Sequence, residues 1–188
     1  MKKPDWVSWD SVKECLADAH SVNRVKGINM THYQWPSRKI AETIGDNGVM
    51  LVALDGDKLV GTAAIAEKSK QSWYIKGRYA YVCFDGVIPQ YSGKGIFKQL
   101  DAEREEQAKK LGYNVLLFDT HERNTRRKVV ALKSDYRYVG YFQAKSRDHY
   151  SVIMVKWLNG CPYSKLYCRM KFLQSKVKTM IRTKLLRR

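Results

Sequence analysis

Near the start of the chain, apolar residues recur at helical spacing at Val12, Leu16 and Ala19, behind Ser11-Val12-Lys13-Glu14, which has the form of a capping box. A helix over about residues 11–24 is predicted. A shorter helix begins near Ser37, with Ile40 and Ile44 four apart, and stops at Gly45. His32 to Pro36 is a polar aromatic loop between them. The period then changes. Val49 to Leu54 and Leu59 to Ile65 are apolar runs of strand length, joined through Asp55-Gly56-Asp57-Lys58, a strong hairpin signal. Tyr79 to Ile88 is a third strand. A charged helix follows from Ile96 to Leu111, with Glu105/Lys109 and Glu106/Lys110 paired on its wet side and Gly112 closing it. Tyr113 to Asp119 reads as a strand, Asn124 opens the next segment, and two late strands lie near 138–143 and 150–158. Helices against a mixed, mostly antiparallel central sheet place the chain in the α/β class, in its layered α+β form.

Beyond the last strand the period is helical again. Leu166, Met170, Leu173, Val177 and Ile181 recur at spacings of four and three, with Lys165, Arg169, Lys176 and Arg182 off that stripe. The expected organisation is a domain over 1–160 and a basic amphipathic helix over 161–188.

Composition changes this picture in two ways. At 188 residues and 44% hydrophobic, the chain has material for one full core. Its 35 Lys and Arg against 18 Asp and Glu give a net charge of +17, and the tail concentrates it: after Asp148 no acidic residue occurs. Three readings of the tail stay open. Its stripe packs on the domain, or lies on an anionic membrane with Lys and Arg at headgroup level, or meets a polyanion such as an acidic carrier protein. Aromatics do not interleave with the tail's basic residues in any recognised RNA-binding motif, which argues against nucleic acid.

Cys15, Cys83, Cys161 and Cys168 show neither a Cys-x-x-Cys pair nor zinc spacing, so no metal is expected. Neither a secretory pattern nor a bilayer-length apolar run is visible, and a cytoplasmic protein, peripheral at the inner membrane face if the tail binds lipid, is expected.

The densest chemical signal is Val87-Ile88-Pro89-Gln90-Tyr91-Ser92-Gly93-Lys94-Gly95-Ile96-Phe97, where a strand meets a glycine turn that opens a helix. Gly93 and Gly95 accept turn geometries closed to other residues, and first-turn amides with the helix dipole favour an anion there. It is not a P-loop, because Ile96-Phe97 stands where Lys-Ser or Lys-Thr belongs. Nor is it a dinucleotide fingerprint, since Lys98 occupies the place of the third glycine.

Gln-x-x-Gly-x-Gly after a strand ending in Val-x-Pro resembles the signature of the GCN5-related N-acetyltransferases (GNAT). The likeness continues through the strand Tyr113 to Asp119, the Asn124 segment and Asp135 to Gly140, about a third of the chain. The resemblance implies an N-acyltransferase that transfers acetyl from acetyl-coenzyme A (acetyl-CoA) to a primary amine. It implies that Gln90, Tyr91, Ser92, Gly93, Lys94, Gly95 and Ile96 hold the pyrophosphate. It also implies that a main-chain amide at Val87 or Ile88 holds the thioester carbonyl. Asn124 and Arg127 join the turn as coenzyme-binding candidates, and the charges of Arg123, Arg126, Arg127 and Lys128 around Asn124 suit the adenosine 3′-phosphate. A longer-chain acyltransferase served by acyl carrier protein, or a silent coenzyme-binding module, remains open beside it.

Acyl transfer needs a base for the amine and a proton for the departing thiolate. Asp85, two residues before Val87 on one strand face, and His121, at the end of the next strand, are the candidate bases, with Asp119 and Glu122 in the same neighbourhood. The family's usual acid, a tyrosine seven residues after its Asn, is Ala131 here. Tyr136 and Tyr138 are the tyrosines near enough in sequence to replace it.

Overall fold

The computed structural model describes residues 2–28, 34–143 and 149–186. The first helical pattern forms two helices, α1 (Trp9–Ala19) and α2 (Ser21–Val25), broken where His20 leaves the helical region at φ −97°, ψ 5°. The cap is Ser8, whose hydroxyl accepts the Ser11 amide at 3.0 Å, so the capping box expected at Ser11 sits one turn too late. Of the aromatic loop, His32 and Tyr33 lie outside the described residues. Helix α3 (Ser37–Ile44) ends at Gly45 as the pattern predicts.

Strands β1 (Val49–Asp55) and β2 (Lys58–Ser72) close over Gly56-Asp57, with Gly56 at φ +57°. The hairpin of β2 and β3 (Ile75–Val87) is longer than its apolar runs, because its outer half pairs polar residues such as Lys70 with Gly77. Trp73 at its tip is fastened from the other end of the chain: the Tyr163 hydroxyl donates to Trp73 O at 2.7 Å, and the rings of Tyr163 and Tyr167 pack on it. Helix α4 (Ile96–Lys110), β4 (Val115–His121), α5 (Thr125–Lys133), β5 (Arg137–Gln143), β6 (Tyr150–Trp157) and α6 (Lys165–Leu186) complete the chain.

The six strands run in the order β1-β2-β3-β4-β6-β5, antiparallel except for β3 and β4. Apolar side chains cover both faces. Leu51, Ile65, Val82, Leu116, Phe118 and Met154 pack with Leu100 of α4 and Ala131 of α5, while Met50, Val52, Ala64 and Cys83 pack with Val12 and Leu16 of α1 and Ile40 of α3. Each edge is blunted. Lys2 bridges to Leu51 of β1, and α6 lies along β5, where the Ser175 hydroxyl takes the Tyr141 N–H at 3.0 Å and Thr179 donates to Tyr141 O at 2.8 Å. Among the described residues, no helix is long and apolar enough to cross a membrane.

Candidate active site

The glycine turn has the geometry its sequence calls for. Ile88 ends the extended run and its N–H donates to Val60 O at 3.0 Å, a single 3-10 turn covers Pro89–Tyr91, and Gly93 and Gly95 follow at φ +84° and +80°. Gly95 is the N-cap of α4 and supplies no side-chain cap. The first α4 amide with a partner inside the helix is Gln99 N, to Gly95 O at 3.1 Å, so the amides of Ile96, Phe97 and Lys98 face the turn. A Cβ built on either glycine meets nothing within 4 Å: the glycines are there for their φ, and the space beside them is open.

Cations gather around this turn. The Lys94 ammonium lies 4.6 Å from the centre of the Tyr91 ring, and Arg126 of α5 donates to Ser92 Oγ at 2.5 Å. Tyr91 is itself tied by its hydroxyl to Asp55 Oδ2 at 2.5 Å. No acidic residue occupies the first turn of α4. A helix start with exposed amides and lysine and arginine at its rim suits a phosphate group.

Beside the turn the sheet opens. Strands β3 and β4 pair only through Ala80 with Leu116 and Tyr81 with Leu117, and beyond these residues they are no longer bonded. Strand β3 is also bulged toward β2, where Thr62 faces Gly86 while Ala64 faces Cys83. Phe84 carries the extra residue at φ +52°, a left-handed conformation unusual for a bulky side chain, and its carbonyl accepts the Thr62 hydroxyl at 2.8 Å. One extra residue changes which face each later side chain meets. Cys83 and Phe84 both join the core under α1 and α3, so Asp85 points to the α4 side. A Cβ on Gly86 would come within 2.6 Å of Ala19 Cβ, so α1 crosses here with only a hydrogen between.

The candidate bases therefore lie on opposite faces of the sheet. Asp85 meets two guanidinium groups: Arg104 takes Oδ1 and Arg127 Nη2 takes Oδ2 at 2.6 Å. Arg104 has no exposed side-chain surface and also pairs with Asp101. On the same side, Tyr136 is buried with its ring edge-on to Phe118 at 5.2 Å, and its hydroxyl finds no partner among the described residues. Burial raises the Tyr136 hydroxyl well above its ordinary pKa. Ala131 is a buried residue of the same core.

On the opposite face stand Tyr81, Asp119 and His121. The Tyr81 hydroxyl donates to Asp119 Oδ1 at 2.5 Å, and burial, reinforced by that carboxylate, raises the Tyr81 pKa. His121 is 8% exposed and stacks on His149 with ring centres 4.2 Å apart. Burial first, and the neighbouring His149 second, lower the His121 pKa below 6.5. Its Nδ1 accepts the Arg123 amide at 3.0 Å, so the neutral ring carries its proton on Nε2 and presents a donor. Glu122 is occupied by the Tyr141 hydroxyl at 2.5 Å.

Asn124 is placed as a cap. Its Oδ1 accepts Arg127 N at 3.2 Å and its Nδ2 donates to Thr120 Oγ1 at 3.2 Å, beneath the surface. Of the residues expected at the coenzyme site, Ser92 is reached by Arg126 and Arg127 meets Asp85, two residues before Val87, while Tyr91 turns toward β1 through Asp55 and Ile96 packs beside Val60. Three features escaped the sequence reading: the Phe84 bulge, Arg104 as the buried partner of Asp85, and the Tyr81–Asp119 pair. Arg104 had a faint signal, since Asp101 precedes it by three residues on the helix. Among the described residues, no group of His, Cys, Asp and Glu is arranged to hold a metal ion.

A sequence model described as the acetyltransferase (GNAT) family matches residues 9–130. A search of curated protein sequences gives no match. Among solved structures, the ribosomal-protein-S18-alanine N-acetyltransferase from Escherichia coli is similar with a TM-score of 0.63 at 12% identity, over 84% of this chain and 92% of that one. An aminoglycoside 6'-acetyltransferase type Ii superposes with a TM-score of 0.64 at 17% identity, over 86% and 98% of the two chains. An aminoglycoside 6'-N-acetyltransferase complexed with coenzyme A gives 0.58 at 15% identity, over 87% and 98%.

Proposed function

The chain belongs to the GNAT acetyltransferase family, and from that premise we propose that it transfers acetyl from acetyl-CoA directly to a primary amine. One observation carries the reading: the open glycine turn at the start of α4 adjoins the place where β3 and β4 part. The amides of Ile96 to Lys98 receive the pyrophosphate, with Lys94 and Arg126 at its rim. The thioester arm lies in the gap between the strands.

Strand amides alternate between the two edges of a strand. Because Ile88 N–H is bonded to β2, Val87 N–H is directed to the β4 edge, where strand pairing has ended. Val87 rather than Ile88 is therefore the amide that polarises the acetyl carbonyl. The amine nitrogen attacks that carbon, the C–S bond breaks, the amine proton passes to a carboxylate, and the thiolate takes a proton from water.

Asp119 is proposed as that carboxylate. Its Oδ1 is held by Tyr81, and it shares a sheet face with His121, whose Nε2–H is a donor to the reacting groups. Asp85, with each oxygen on an arginine, acts as a positioning residue that ties α4 and α5 to β3. Tyr136 is a core residue in this scheme.

Release of thiol from acetyl-CoA over a panel of primary amines, beside calorimetric titration with coenzyme A, tests the proposal. Turnover with at least one amine and binding lost on Gly95→Val are expected. Absence of coenzyme binding overturns the assignment of the turn. Tight binding with no turnover assigns a coenzyme-binding module instead, as the alanine at position 131 would favour.

A further inference from the structure

The apolar stripe of α6 does not pack on the domain. The helix is anchored through another face, on which buried Cys168 is followed every three or four residues by Phe172, Ser175, Thr179 and Thr183, and these four meet β5. Leu166, Met170, Leu173, Val177, Met180, Ile181 and Leu185 are 43–68% exposed. At about 100° per residue these residues form a strip centred roughly opposite the anchored face. Seven large apolar side chains in line on one exposed face are more than the scattered single ones a surface normally carries.

Charge decides what covers the strip. Exposed Lys165, Arg169 and Lys176 run along one side of it, and Lys178 and Arg182 along the other. After Asp148 no acidic residue occurs, and the whole chain carries +17. A second copy of this chain on the strip would bring basic flank against basic flank. A planar anionic surface satisfies both flanks at once: the strip enters the acyl boundary while lysine and arginine reach the headgroups. The helix is too polar to span a bilayer.

We propose that α6 is a membrane-surface helix that lays the protein on anionic lipid. Hydroxyl bonds to the β5 edge hold it in a fixed orientation, so docking sets the pose of the whole sheet relative to the bilayer. This inference is independent of the acetyl-transfer reading, and its test needs no coenzyme.

The full chain is sedimented with vesicles of phosphatidylcholine alone, or with one-third phosphatidylglycerol, near physiological ionic strength. At least about tenfold stronger binding to the anionic vesicles is expected, since each basic residue near the surface adds appreciably. Val177→Glu together with Ile181→Glu should abolish it, with circular dichroism and melting temperature unchanged because both side chains are exposed. As a second variant, Lys178→Gln with Arg182→Gln should weaken binding to anionic vesicles only. Three results would overturn the proposal: no vesicle binding, anionic binding indifferent to the Glu pair, or a dimer in light scattering that the Glu pair dissolves.

Discussion

Gly95 opens α4 and lies in the turn proposed to hold the pyrophosphate, so on that proposal its replacement by alanine has two separable effects. The residue sits at φ +80°, and an added Cβ meets nothing within 4 Å, which leaves the backbone as the sole source of strain. A left-handed conformation costs an ordinary residue about 1–2 kcal/mol. In a chain of this length that lowers Tm by roughly 2–8 °C. If the backbone relaxes instead, the amides of Ile96 and Phe97 turn away from the proposed phosphate position. Losing about 1.4 kcal/mol of that contact raises Kd tenfold. Gly112 is a matched control: it closes the other end of α4 at φ +76°, again with nothing within 4 Å of its Cβ. Gly112→Ala should lower Tm by a similar amount and leave coenzyme affinity alone. Thermal melts with and without acetyl-CoA, paired with calorimetric Kd values, separate the two. If Gly95→Ala and Gly112→Ala shift Kd equally, or Gly95→Ala shifts neither quantity, the turn is not the phosphate site.

Asp85→Asn leaves the fully buried Arg104 with Asp101 as its one carboxylate among the described residues, and breaking one side of a buried ion cluster typically costs about 3–5 kcal/mol, so chemical denaturation should show a drop of that size. Because the His121 pKa is lowered, its neutral form is favoured in the native state. The stabilisation this represents is fully present above pH 6.5 and is lost as pH falls through the lower native value. The acid limb of kcat/KM should accordingly lie below pH 6.5 and move up in His149→Ala, which removes a like-charged neighbour and part of the burial; an unmoved limb excludes His121 as the titrating group. Asp119→Asn should reduce kcat by about 100-fold or more with coenzyme Kd unchanged, in steady-state and titration measurements. Ser175→Ala removes the acceptor of the Tyr141 N–H and should cost about 1 kcal/mol in denaturant unfolding.

Local chemistry made much of the fold readable. Asp-Gly between β1 and β2, Gly45 and Gly112 at helix ends, and Asn124 at the start of α5 each stand where the backbone or cap demands that residue type. The first helix misled because Ser11-x-x-Glu14 imitates a capping box while Ser8, a turn earlier, is the cap. Strand lengths were underestimated at the β2–β3 hairpin for a different reason. Its outer half is held by main-chain pairing and by aromatic contacts with Tyr163 and Tyr167, some 90 residues distant, which no local period reveals.

The site divides in the same way. The turn at residues 90–96 was legible as a turn because glycine announces main-chain geometry, and Gly93 and Gly95 take the left-handed conformation. Side-chain roles depend on facing, and facing was altered by one residue. A regular β3 would have put Asp85 on the face of Tyr81, Asp119 and His121, where it could serve as a base. With Phe84 inserted at φ +52°, Asp85 instead enters a cluster with Arg104 and Arg127. Nothing in the sequence around Phe84 marks a left-handed residue, and the bulge exists because Thr62 and the α1 crossing at Gly86 compensate for it. The strand that donates the Val87 amide to the opening is thus the one whose bulge removes its carboxylate from that face. That is the physical reason the proposed base stands on β4 and not on β3.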